Sequence, residues 1–195
     1  MIFLYTAVGR FERRTTINGQ SPVIIVSGKE YMVNMPEMII WTCLNWRILE
    51  LPQIETLYKE MTLDTDVNDP TNYEIYLDRL IQRGLVMSGI GVNGIDALYD
   101  LLSNLYIVPV ISGLFVKVMA FLKFIFVNRL PFSKAKTVFQ NEKLSVNEKR
   151  IIDLAKQVQL STSAIIKCVE NDGQKSVLET VANLYLKKLI IFERI

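Results

Sequence analysis

One helical pattern occurs twice in this chain, and any fold must accommodate both copies. The stretch Glu37–Met61 (EMIIWTCLNWRILELPQIETLYKEM) lies over Glu148–Asp172 (EKRIIDLAKQVQLSTSAIIKCVEND) without a gap. Glu37 falls on Glu148, Ile40 on Ile151, Trp41 on Ile152 and Ile54 on Ile165, a shift of 111 residues. Further on, Leu77–Val86 falls on Val181–Ile190 with a shift of 104. The first copy therefore carries 7 extra residues, which fit the polar loop Thr62–Pro70. Each copy reads as helix, turn, helix, loop, longer helix and apolar strand. A supersecondary order met twice in one chain is a stronger constraint than either occurrence alone.

Composition bounds the chemistry. The chain has 195 residues, half of them apolar, enough for one or two small domains with a core. Its net charge of +2 is unevenly spread: residues 1–97 carry 8 Lys and Arg against 12 Asp and Glu, net −4, and residues 98–195 carry 14 against 8, net +6. A basic C-terminal half can attract nucleic acid or another anionic surface. Histidine is absent. That removes the usual general base at neutral pH, the His-dependent nucleophile systems and the commonest metal ligand. Cys43 and Cys168 sit in apolar helical stretches and read as packed thiols of a reducing compartment. The apolar start Met1–Val8 is followed by Arg10, Glu12, Arg13 and Arg14, so no signal peptide can be drawn. A non-catalytic, cytoplasmic protein without cofactor or metal is expected.

Along the chain, residues 2–33 read as extended. Ile2–Val8 and Val23–Val26 are β-rich, Asn18-Gly19 and Ser27-Gly28 are turn dipeptides between the runs, and Gly28-Lys29-Glu30 between Val23–Val26 and Tyr31–Val33 predicts a hairpin. Pro36 and Pro52 open the first two helices, Asn68-Asp69-Pro70 precedes the third, and Gly84 ends it as a C-cap. Leu85–Met87 reads as a strand, and the glycines of Ser88–Gly94 as a flexible linker, since no Gly-Lys-Ser/Thr follows them. Asp64, Asp66 and Asp69 lack the glycine and terminal Glu of a calcium loop. Ile95–Val108 reads as a helix, and Ile107–Val127 as a buried helical connector that also offers a homodimer interface. Lys117 and Lys123 would lie mid-span in a membrane, which argues against a transmembrane segment. In the second copy, Ser145-Val146-Asn147-Glu148 has the capping-box pattern, Ser176–Lys188 is the long helix and Leu189–Phe192 the strand.

The helix–helix–helix–strand order resembles the winged-helix plan, which implies a binding platform. The expected fold is mostly α with short strands (α+β): residues 1–92 form one winged-helix-like unit with leading strands, 93–143 an apolar helical connector, and 144–195 a second winged-helix unit. Asp153-Leu154-Ala155 with Leu160–Ile166 resembles the helix-turn-helix of bacterial repressor headpieces, although Gln159 stands where that pattern has Gly. Together these resemblances imply a DNA-binding transcriptional regulator. The candidate contacts with duplex DNA are Ser161, Thr162, Ser163 and Lys167 if the repressor-like helix is the reader. They are Lys175, Asn183, Lys187 and Lys188 if the winged-helix recognition helix is. The first unit, rich in carboxylates, is a poor DNA reader. Its Val23–Val86 stretch, with strands first, Tyr31-Met32-Val33-Asn34 leading into a helix, and LDRLIQRGLV at the end, resembles PqqD-type peptide-recognition domains. That resemblance implies the competing function, a peptide- or protein-binding adaptor that takes an extended segment by strand addition.

Overall fold

A computed structural model describes residues 1–16, 19–63, 72–110, 144–157, 161–169 and 173–194. The first half runs β1 (Ile2–Ala7), β2 (Arg10–Thr16), β3 (Gly19–Val26), β4 (Lys29–Met32), α1 (Met35–Leu44), β5 (Ile48–Leu49), α2 (Leu51–Thr62), α3 (Tyr73–Gln82) and β6 (Val86–Gly91). Then come α4 (Gly94–Ser103) and β7 (Leu105–Pro109), and, after the intervening residues, α5 (Val146–Gln157), α6 (Thr162–Cys168), α7 (Gln174–Leu186) and β8 (Ile190–Arg194). The chain is a mixed α+β protein with small antiparallel sheets ordered β5-β1-β6, β2-β3-β4 and β7-β8.

The expected helix–helix–helix–strand order is present in both halves, and the correspondence goes further than helix order. In the first half β1 lies antiparallel to β6, with Ala7 opposite Val86, and the ladder continues through Val8 N–H donating to the Leu85 carbonyl at 3.0 Å. In the second, β7 lies antiparallel to β8 with Pro109 opposite Ile190, and Val110 N–H donates to the Leu189 carbonyl at 2.8 Å. β5 flanks β1 through Thr6–Ile48 and Tyr5–Leu49, and in the matching place Ser161 bridges Tyr106. Each set of three helices is thus preceded by the strand that pairs with the one following it.

Both units lock the start of their first helix to the end of their third by the same device. Asn34 and Glu37 form a capping box at α1, and the buried Glu37 carboxylate meets Arg83 Nη1 at 3.1 Å. Ser145 and Glu148 cap α5 reciprocally, and the buried Glu148 carboxylate meets Lys187 Nζ at 2.6 Å. Arg83 and Lys187 are the C-cap residues of α3 and α7 and are paired by the 104-residue shift. The residue after each has positive φ, Gly84 at 69° and Lys188 at 59°, and the next N–H bonds five residues back, Leu85 to Leu80 at 2.9 Å and Leu189 to Leu184 at 3.0 Å. This is the Schellman closure, in which glycine is at ease and lysine is strained.

Several expectations are corrected. The helix expected over Ile95–Val108 ends at Ser103, and the start of the connector expected to be helical over Ile107–Val127 is the strand β7. Leu105 and Ile107 are buried because that strand fills the second unit's sheet. Residues 111–127 lie outside the described residues. The glycines of Ser88–Gly94 are not a linker: a Cβ at Gly89 or Gly91 would run into the backbone of Ala97, so the glycines let α4 lie flat on β6. Asn93 caps α4, accepting from Ile95 and Asp96 N–H, and Asp100 accepts from Ile90 N–H at 2.9 Å. No wing follows α3 in the first unit, since β6 leads into α4. Cys43 is buried as expected, but Cys168 is exposed.

The core is continuous from Ala7 and Val8 through Trp41 and Leu44 to Tyr185 and Phe192. Its centre is Tyr185, fully buried between the halves. Its hydroxyl accepts from Trp46 N–H at 3.0 Å and donates to the carbonyls of Ala7 and Leu44 at 3.3 and 3.4 Å, while its ring lies 5.5 Å from Trp46 and 4.3 Å from Phe192. Among the described residues, no helix is long and apolar enough to cross a membrane.

Candidate functional site

The eight residues singled out as DNA contacts separate into two groups. Thr162 is fully buried and its hydroxyl donates to the Leu105 carbonyl at 3.1 Å, so it closes α6 onto β7 and does not face a groove. Ser161 is the N-cap of α6, accepting from Ala164 N–H at 3.3 Å, with the half-buried Ser163 hydroxyl 2.9 Å away. Lys187 is committed to Glu148, and that hydrogen bond, with the Ser145 amide, holds the Glu148 carboxyl below the usual carboxylate range. Lys167, Lys175, Asn183 and Lys188 face solvent. The outer face of α7 alternates in character: Lys175 lies 3.9 Å from Glu179, and Asn183 and the exposed Leu186 follow. On that face Lys175 is accompanied by a carboxylate and an apolar side chain.

The first unit presents a different surface. The β3–β4 turn has two central residues, Ser27 and Gly28, both with positive φ (48° and 77°), as a primed hairpin turn requires. The residues flanking a two-residue turn, Val26 and Lys29, form a hydrogen-bonded pair, and alternation makes Ile24–Tyr31 the next. Val33 N–H to the Pro22 carbonyl at 3.5 Å continues that phase. The N–H and C=O groups of Glu30 and Met32 consequently point away from β3. β4 is the edge of its sheet, and on that side no strand pairs with it among the described residues.

One side chain already uses this edge. The Arg83 guanidinium donates to the outward Met32 carbonyl, pairs with Glu37, and stands 5.9 Å from the centre of the Tyr31 ring. α3, which carries it, packs on α1 and β6. One and two turns back along the helix stand Arg79 and Tyr76, the guanidinium 5.7 Å from the ring centre. Ile75, half exposed, is beside them, and Met32 and Met35 flank the edge with 66% and 52% of their surface exposed. The opposite edge of the sheet, β2, is shielded by charge: Arg10, Glu12 and Arg14 form ion pairs along it, and Arg14 reaches Glu30. Charged edges resist pairing, and β4 has less of that protection.

The PqqD-type resemblance pointed to this stretch without giving Arg83 a role. The signal that finds it is the repeat itself, which sets Glu37 and Arg83 over Glu148 and Lys187. Among the described residues, no cluster of three or more His, Cys, Asp and Glu side chains could hold a metal ion. Asp64, Asp66 and Asp69 lie outside the described residues. Comparison with models of protein families, with curated proteins and with solved structures finds no match to this chain.

Proposed function

We propose that the chain is a non-catalytic adaptor whose first unit binds an extended protein segment as an added strand on β4. The observation that carries this reading is the pair of outward-facing residues on β4, Glu30 and Met32, next to an arginine that already bonds the Met32 carbonyl. Main-chain pairing supplies affinity in such complexes, and the pockets beside the edge supply selectivity. Binding of duplex DNA is the second reading. It is favoured by the exposed Lys167, Lys175, Asn183 and Lys188 and the basic C-terminal half, and weakened by the internal commitments of Thr162 and Lys187.

The test is selection from a display library of random linear twelve-residue peptides on the full chain, repeated on Met32→Pro. Proline removes an outward N–H and leaves the β3–β4 ladder intact, because Met32 N–H is not a ladder donor. Enrichment on the wild type that is lost on Met32→Pro supports strand addition. Enrichment equal on both proteins, or none on either, refutes it. Steeply salt-dependent binding to random duplex DNA, by contrast, would favour the second reading.

A further inference from the structure

We infer that the β4 edge selects an acidic extended segment, one that places an Asp or Glu opposite Tyr31 and an apolar residue opposite Met32. This deepens the adaptor reading and rests on it. An incoming strand bonds the outward groups of Glu30 and the outward Met32 N–H, beside the Met32 carbonyl that Arg83 holds, so its residues opposite those two share their face of the sheet. The residue between them, opposite Tyr31, points to the other face. That is the face on which the Arg83 guanidinium covers Tyr31.

Helical spacing sets the charge that this residue meets. Arg83, Arg79, Tyr76 and Ile75 fall within about a 100° arc of α3. Asp78 and Glu74 fall outside that arc, Asp78 close enough to Tyr5 of β1 to raise its hydroxyl's pKa, after burial, the larger cause. Glu74 meets Tyr73, at 3.4 Å from its hydroxyl. Glu37 offsets the charge of Arg83, whereas Arg79 has no carboxylate partner among the described residues. Among the described residues, the stripe that begins at the β4 edge therefore carries a positive charge that no carboxylate pairs. On the other face the strand meets Met32, whose unbranched thioether accommodates apolar side chains of varied shape, and Glu30, which Arg14 already pairs.

The experiment adds a third protein, Arg79→Glu, to the same selection. Arg79 is exposed on the helix surface, so the exchange leaves the core untouched. On the wild type, the enriched peptides should carry Asp or Glu at one fixed position, with an apolar neighbour, about two- to fivefold above the starting library, the range of a solvent-exposed ion pair. On Arg79→Glu that preference should vanish or turn to Lys and Arg, while sensitivity to Met32→Pro persists. Peptides that are enriched and Met32→Pro-sensitive but show no acidic position, or keep it on Arg79→Glu, overturn the acidic selectivity and leave strand addition standing. Peptides that ignore Met32→Pro overturn both.

Discussion

Removing the Tyr185 hydroxyl tests whether the two halves are one folding unit. In Tyr185→Phe the ring stays, with its contacts to Trp46 and Phe192. What goes is the acceptor for Trp46 N–H and the donor to the carbonyls of Ala7 and Leu44, groups that the fold withdraws from water. A buried polar group that loses its partner costs about 1–3 kcal/mol. About 2 kcal/mol is expected here, since one N–H is stranded and both carbonyls keep other opportunities in strand and helix. With an m value near 2 kcal/mol/M, the urea midpoint should fall by about 1 M, and Tm by about 4–8 °C for a chain of this size. The transition should remain single, because the core runs through both halves. There is also a pH signature. Burial raises the Tyr185 hydroxyl above the ordinary tyrosine range, against the opposing hydrogen bonds of Thr6 and the Trp46 amide. The protonated form is favoured in the folded state, so its contribution is complete below pH 10 and is lost as pH rises through the folded-state value. Tyr185→Phe should flatten that alkaline limb. A loss under about 0.5 kcal/mol, or wild-type unfolding in two separate steps, would refute the reasoning.

Three further outcomes follow from the repeat and its surroundings. Lys188→Gly places in the second unit the residue the first has at Gly84. It should relieve about 1–2 kcal/mol of left-handed strain, offset in part by glycine's greater freedom when unfolded, and raise stability by about 0.5–1 kcal/mol, read as a higher Tm; an unchanged or lower Tm counts against it. Glu148 has a lowered pKa in the folded state, so its contribution is present above the ordinary carboxylate range and lost as pH falls through the folded value; Glu148→Gln should be less stable at pH 7 and have a shallower acid limb, and equal limbs would argue against the Lys187 lock. A thiol reagent should label Cys168 rapidly and Cys43 only on unfolding, because burial pushes the Cys43 thiol up to about 11; mass mapping that finds Cys43 labelled in the native protein would contradict its placement.

What could be read from residues alone was periodicity and punctuation. The helices after Pro36 and Pro52, the Ser145–Glu148 box, the Gly84 cap and the Ser27-Gly28 hairpin turn are local features, and each is where the spacing predicts. What escaped depends on partners distant in sequence. Leu105–Pro109 is a short apolar run that continues a helical pattern, and it becomes a strand because β8 supplies the ladder about 85 residues on. Gly89 and Gly91 look like flexible spacers until α4 is laid against them. Thr162 looks like a base reader because the pattern of helix surfaces cannot show that the Leu105 carbonyl lies underneath.

The two copies of the lock differ in the cation that closes them. A buried glutamate at the first helix and a cation at the third helix's C-cap close each unit. Lysine carries a compact ammonium, and the Lys187 Nζ is taken up by one Glu148 oxygen at 2.6 Å. Arginine offers five N–H donors in a planar fork. At Arg83 one nitrogen serves Glu37 and another the Met32 carbonyl, with the guanidinium near the Tyr31 ring. The same position can therefore be purely structural with lysine, but with arginine it ties the helix lock to an open strand edge. Replacing Arg83 by Lys should preserve the ion pair with Glu37 while releasing the Met32 carbonyl. If the edge is the binding surface, Arg83→Lys should keep near-wild-type stability yet change which peptides are selected; stability and selection that both stay unchanged would mean that the arginine fork contributes nothing beyond the lysine lock.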